Sequence, residues 1–141
     1  CCTFPFKLNA FPARAIFCKL EIRIYVKNKQ VGDKGETIAV NFLQKRGFNI
    51  IERNWRSKHL EIDIIASIDH KLHFVEVKTR TNKKYGQPEE SISKAKMNHL
   101  KIGAEAYLYL NPQWELIQFD VIAIMLTRGK EEIFLIDDVF F

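Results

Sequence analysis

The sequence predicts an α/β domain, and three observations carry that prediction. Segments with helical apolar spacing alternate with segments of period-two alternation, in the order helix, three strands, helix, strand, strand. Apolar residues make up 47% of the 141 residues, enough for a single core in a domain of this length. Charged residues make up 28%, an ordinary share for a folded chain, so global disorder is not expected.

Each element has a local reason. Residues 1–31 open with Cys1, carry Pro5 and Pro12, and lack clear periodicity up to Phe17; Leu20, Ile22, Ile24 and Val26 then alternate with polar neighbours, as one strand would. Lys7, Arg14 and Lys19 interrupt the apolar stretches, which fits a signal peptide poorly. Residues 1–31 are read as an atypical extension, of the kind an upstream choice of reading-frame start would produce, and residues 32–141 as the domain. Asp33, with Glu36 three positions on, predicts a helix start, and Gly47 its stop, with Ile38, Ala39, Val40, Phe42 and Leu43 at helical spacing between. Strands follow at 48–55, 60–68 and 72–79, the last two joined by a tight turn at Asp69-His70, which makes a meander. Residues 81–88 (TNKKYGQP) form a polar loop, and 89–110 a second helix with Leu100, Ala104, Tyr107 and Leu108 on one stripe. A long strand is expected at 114–126, with room for a bulge, and a short one at 133–136.

Charge and cysteine usage narrow the class. The net charge of +5 resides entirely in residues 1–35; from Glu36 onward acids and bases balance. Within that neutral part, residues 78–101 hold seven basic and two acidic residues, whereas 115–141 hold six acidic and two basic, a polarity that can orient a polyanion. Cys1, Cys2 and Cys18 form no C-x-x-C pair, so neither a disulfide scaffold nor a zinc site is expected, and a reducing cytoplasm is the natural compartment. No apolar run approaches the roughly 18–20 residues that span a bilayer, so no membrane association is expected.

Chemistry concentrates on a few charged residues set among apolar ones. In FVEVKTR (74–80), Glu76 and Lys78 lie two apart and so share one strand face with Leu72 and Phe74. Asp63 lies in LEIDIIA on the preceding strand, where a short hairpin makes it a cross-strand or diagonal neighbour of Glu76. Glu36 aligns with Ala39, Val40 and Leu43 on the inward side of the first helix. Three carboxylates repel and resist burial unless a cation joins them, and carboxylate oxygens suit Mg²⁺ or Mn²⁺. Such an ion activates water and neutralises phosphoryl charge, and an adjacent lysine can orient the water or stabilise the transition state. These parts suit phosphodiester hydrolysis. Taken singly, E-x-K is most often a solvated face and Glu36 most cheaply a capping residue; the combination on these elements favours a site.

The same residues carry a resemblance. A glutamate on helix one, then I-D, then E-V-K on a hairpin followed by a helix, resembles the PD-(D/E)xK nucleases of the restriction-endonuclease-like fold. More narrowly, GDKGETIAVNFL, RNWRSKHLEIDIIA, FVEVKTR, the helix around Lys96 and FDVIAI look like the YraN family, related to archaeal Holliday-junction resolvases. The likeness covers about residues 32–141. It implies a three-layer α/β/α domain with a mixed central sheet and helices on both faces. It also implies Asp63 and Glu76 as metal ligands, Glu36 as the helix-one acid and Lys78 as the catalytic lysine. Ile62 stands where the name-giving proline would be, and Leu60 where the family usually has glycine.

Around this site, Arg56 and Lys58 precede Asp63, Arg80, Lys83 and Lys84 follow the E-V-K strand, and Lys94 and Lys96 lie on the next helix, placing cations where DNA phosphates would need them. Trp55 and Tyr85 could stack on unpaired bases, though Trp55 suits the core equally well. Four histidines have no zinc-ligand spacing, S-x-x-K at Ser91 to Lys94 lacks partner motifs, and Gly32-x-x-Gly35 lacks the ending of a phosphate loop. Asp120 reads as structural. The expected function is Mg²⁺- or Mn²⁺-dependent cleavage of DNA, branched or otherwise structured, by a homodimer if two cuts are needed; the alternative is a DNA-binding module of the same fold that does not cut.

Overall fold

The computed structural model describes residues 13–81 and 93–139, with side chains from residue 29 onward. The chain divides into two compact units, Cys1–Gln30 and Val31–Phe141. Residues 13–30 of the first are helical. Among the described residues no helix is long and apolar enough to cross a membrane.

Two expectations near the start are corrected. Helix α1 spans Ala13–Lys45, so the alternation at residues 20–26 is helical, not a strand, and Asp33 does not begin the helix. Leu20/Ile24 and Ile22/Val26 are also four apart, so the stretch satisfies helical spacing, and a helix closes its own hydrogen bonds where a strand needs a partner. Asp33 lies in the ladder, its carbonyl accepting from Thr37 Oγ1 at 3.0 Å. The Gly47 stop is as expected. With φ +88, Gly47 lets its N–H reach Gln44 O (3.0 Å) while Phe48 N–H reaches Leu43 O (3.1 Å), which is the Schellman arrangement.

Five strands follow: β1 (Asn49–Ser57), β2 (Leu60–Ile68), β3 (Lys71–Arg80), β4 (Leu116–Thr127) and β5 (Lys130–Ile136), with α2 (Lys94–Leu110) between β3 and β4. They form one sheet in the order β1-β2-β3-β4-β5. The β3/β4 pair is parallel and the others antiparallel, so the sheet is mixed, and α2 supplies the crossover that a parallel pair demands. Asp69 (φ 49) and His70 (φ 64) close the two-residue β2–β3 turn with the left-handed backbones that match strand twist. The expected bulge in β4 is absent: its register with β3 is unbroken over ten pairs, and the irregularity lies in β1 between Ile50 and Glu52. The start of α2 also moves. Ser93 is extended and caps the helix, its Oγ accepting Lys96 N–H at 3.3 Å, so α2 begins after it; Glu89, where the start was expected, lies outside the described residues.

The sheet is covered on both faces. Ala39, Val40 and Leu43 of α1 pack on Ile64, Ala66, Val75 and Ile122, while Met97, Leu100, Ala104 and Tyr107 of α2 pack on Ile62, Ile65, Leu72 and Phe74. This is the expected three-layer arrangement. β3 is the central strand, sending Leu72 and Phe74 to one layer and Val75 to the other, each fully buried. Burial at such positions stabilises by about 1.5–3 kcal/mol per side chain, and truncating Phe74 to alanine is expected to cost about 3–5 kcal/mol.

Candidate functional site

The site begins where the sheet forks. The β2/β3 register runs from Ile68↔Lys71 to Ile64↔Val75 and ends, although both strands continue. Beyond it β2 stays with β1, through Trp55↔Ile62 and Arg56↔Glu61, and β3 stays with β4, through Lys78↔Ala123. At the division β2 also turns over: Ile62 packs in the α2 layer and Ile64, two residues on, in the α1 layer. A regular strand would keep both on one face.

Asp63 occupies this division. Its Oδ2 accepts the backbone N–H of Val77 at 2.7 Å, taking the place of a strand carbonyl that the fork removes. Continued by one pair, the register would set Asp63 opposite Glu76. Glu76 is 3% exposed, on the face that carries Leu72 and Phe74 deeper in the layer. A buried carboxylate requires compensation, and two cations provide it: Lys78 Nζ lies 2.8 Å and Lys96 Nζ 3.4 Å from Glu76 Oε1. Asp63 is less well compensated. Burial first, then the charge of Glu76, raise its pKa from 3.8 to about 6, against the lowering effects of the Val77 N–H and Lys96. The arrangement is therefore a pair of carboxylates, one already ion-paired and one short of positive charge, beside a half-buried lysine.

Residues 35–124 match the uncharacterised protein family UPF0102, the YraN family. A UPF0102 protein from Dictyoglomus turgidum is 45% identical over 108 residues, covering 75% of this chain and 91% of its own. Others from Chloroherpeton thalassium (41% over 122 residues; 80% and 95%) and Bacteroides thetaiotaomicron (36% over 115; 82% and 95%) are similar at comparable length. The chain belongs to the UPF0102 family. The five-strand mixed sheet and two helices of the described residues are compatible with the restriction-endonuclease-like fold.

The other anticipated residues of this UPF0102 chain fall unevenly. Glu36 accepts a hydrogen bond from Asn54 Nδ2 at 2.9 Å, and its charge adds to the rise in Asp63, but among the described residues no group of three or more Asp, Glu, His or Cys that could hold a metal forms. The charge of Glu76 bears on Asp63 more strongly than that of Glu36 does. Arg56 is engaged by Glu61, with Nη2 to Oε1 at 2.7 Å, a contact that also raises its pKa, first through the hydrogen bond and then through the charge. Lys58, with φ 54, forms the β1–β2 turn. Arg80 ends β3 and Lys94 begins α2 at its exposed end. Lys83, Lys84 and Tyr85 lie outside the described residues. Trp55 is core, edge-on to Tyr107 with ring centroids 5.6 Å apart.

Asn54 escaped the sequence reading, whereas Asp120, read there as structural, takes that role with His73 as its partner. Asn54 bears on the site through Glu36, and asparagine within a strand-like run, being a poor strand former, was its only signal. On the α1 side, beside the Phe48 ring, His73 Nδ1 lies 2.6 Å from Asp120 Oδ2. Asp120, 1% exposed, also accepts Gln118 Nε2 (2.9 Å) and the Asp138 backbone N–H (3.0 Å). Burial pushes the Asp120 carboxyl up, but the hydrogen bonds from His73, Asp138 and Gln118 together outweigh it and hold the pKa below the usual range. This cluster ties β3, β4 and the C-terminal segment together, a structural part.

Proposed function

We propose that this chain is a metal-dependent nuclease that hydrolyses phosphodiester bonds in DNA, with branched or otherwise structured DNA as its substrate. The observation that carries the reading is the meeting of Asp63, Glu76 and Lys78 where β2 and β3 part. The donor set fits Mg²⁺ or Mn²⁺, which takes one or two protein carboxylates and fills its remaining positions with water and substrate phosphate. Asp63, whose pKa is raised beside Glu76, is the oxygen donor that a divalent cation would relieve. When bound, the ion would supply Lewis-acid stabilisation and a more acidic water.

The residues of the chain do the rest. Lys78, fixed 2.8 Å from Glu76 Oε1, orients the attacking water and offsets negative charge that builds on the phosphoryl oxygens. Lys96 leaves a positive charge beside the buried Glu76 carboxylate when Lys78 turns to substrate, because its ammonium remains near the same oxygen. Arg80 and Lys94, at the ends of the elements that bound the fork, hold the phosphate backbone by charge and not by sequence.

The test is incubation of labelled four-way, flap and single-stranded DNA with Mg²⁺ or Mn²⁺, beside Asp63→Ala and Lys78→Ala. Cutting by the parent that both substitutions abolish is the expected result. Binding without cutting under either metal replaces this reading with a DNA-binding module, and neither binding nor cutting overturns both.

A further inference from the structure

Asn54 has a left-handed backbone, φ 51, in the middle of β1. For a residue with a side chain that conformation costs about 1–2 kcal/mol, and asparagine is among the few that adopt it readily. Its place in the sheet is specific: Arg53↔Ile64 and Trp55↔Ile62 set Asn54 across from Asp63. From there its amide donates to Glu36 Oε2 at 2.9 Å, eighteen positions back on α1. A second feature seats the same turn of α1. A Cβ at Gly35 would overlap the hydroxyl of Thr79, so the missing side chain lets the helix lie against β3 one residue beyond Lys78.

We propose that Asn54 is a positioning residue whose amide fixes the Glu36 carboxylate towards the Asp63–Glu76 pair, so that Glu36 supports an ion held by that pair. The inference rests on the nuclease reading. An amide suits this task because it orients one carboxylate oxygen without cancelling its charge, and leaves the other oxygen available. A lysine or arginine at position 54 would neutralise the acid it was meant to present. The close approach of Gly35 to Thr79 and the Asn54 amide hold this turn of α1 against two different strands, β3 and β1, so the placement of Glu36 does not depend on one exposed hydrogen bond.

The experiment measures Mn²⁺ binding to the full chain without DNA, together with the melting temperature. Asn54→Gly keeps the left-handed backbone and deletes the amide. It is expected to weaken Mn²⁺ binding about tenfold, as loss of an outer partner of a metal site does, with little change in melting temperature. Glu36→Gln should weaken binding to a similar extent, and the double variant no further, because the two act as one unit. Asn54→Asp, which tolerates the same φ, should bind at least as weakly as Asn54→Gly. Parent-like Mn²⁺ affinity in Asn54→Gly, with Asp63→Asn impaired, overturns this inference alone and leaves Asn54 a staple between α1 and β1. Parent-like affinity in Asp63→Asn as well removes the nuclease reading with it.

Discussion

The Asp63 carboxylate and the Val77 backbone N–H meet at 2.7 Å across the point where β2 and β3 separate. One side chain thus closes the sheet and faces Glu76. Because its folded pKa, about 6, lies above the ordinary 3.8, the folded chain binds more protons than the unfolded chain between those values. Stability therefore falls as pH rises from about 4 to about 6, and the penalty stays constant above. Asp63→Asn keeps the acceptor for Val77 and removes the charge. Relative to the parent it should gain about 1–3 kcal/mol across that window, read by urea denaturation at a series of pH values.

The same proton competes with a cation. Mn²⁺ affinity of the parent is expected to weaken as pH falls through about 6, where Asp63 takes up its proton, and to level off above. Titration of Mn²⁺ binding at pH 5 to 8 checks this, and a flat profile would separate Asp63 from the metal.

Lys78→Ala should remove DNA cleavage by about 10²–10⁴-fold while DNA binding and fold persist. Glu76 would keep Lys96 at 3.4 Å, so its buried charge would not be left alone. Cleavage rates and far-UV circular dichroism together distinguish lost chemistry from lost structure.

Gly35→Ala is expected to destabilise the chain by about 1–3 kcal/mol, because the added methyl group would occupy the place of the Thr79 hydroxyl. Thr79→Ala in the same chain should recover part of that loss, which thermal melts of the single and double variants would show.

Asp120→Asn should cost about 2–4 kcal/mol, since it weakens three hydrogen bonds in a site that is 1% exposed. The depressed pKa of Asp120 adds a sign: its contribution is present above about pH 4 and is lost as pH falls below it. Mn²⁺ affinity should be unchanged, in contrast to Asp63→Asn.

Where the sequence reading succeeded, a local rule was enough. The alternation in FVEVKTR placed Glu76 and Lys78 on the face of Phe74, and Gly47 marked the helix end because only a left-handed residue there satisfies the last carbonyls. Where it failed, two local rules competed. Residues 20–26 fit strand and helix spacing alike, and Asp33 with Glu36 copied a capping box inside a helix that continues past it. For Glu36, helical phase gave a direction and not a distance, and its hydrogen-bond partner Asn54 could not be read from spacing at all.

By itself, then, the sequence determined the elements, their order and the chemical types at the site, since periodicity and turn chemistry act over a few residues. Only the tertiary structure decided that β2 and β3 part at Asp63, that Lys96 joins Lys78 on Glu76, and that Asn54 reaches Glu36. Those contacts join residues 14 to 20 positions apart, apart from the Lys78–Glu76 pair. Their energies depend on burial and on which strand ends where, quantities that arise once the sheet has closed around them.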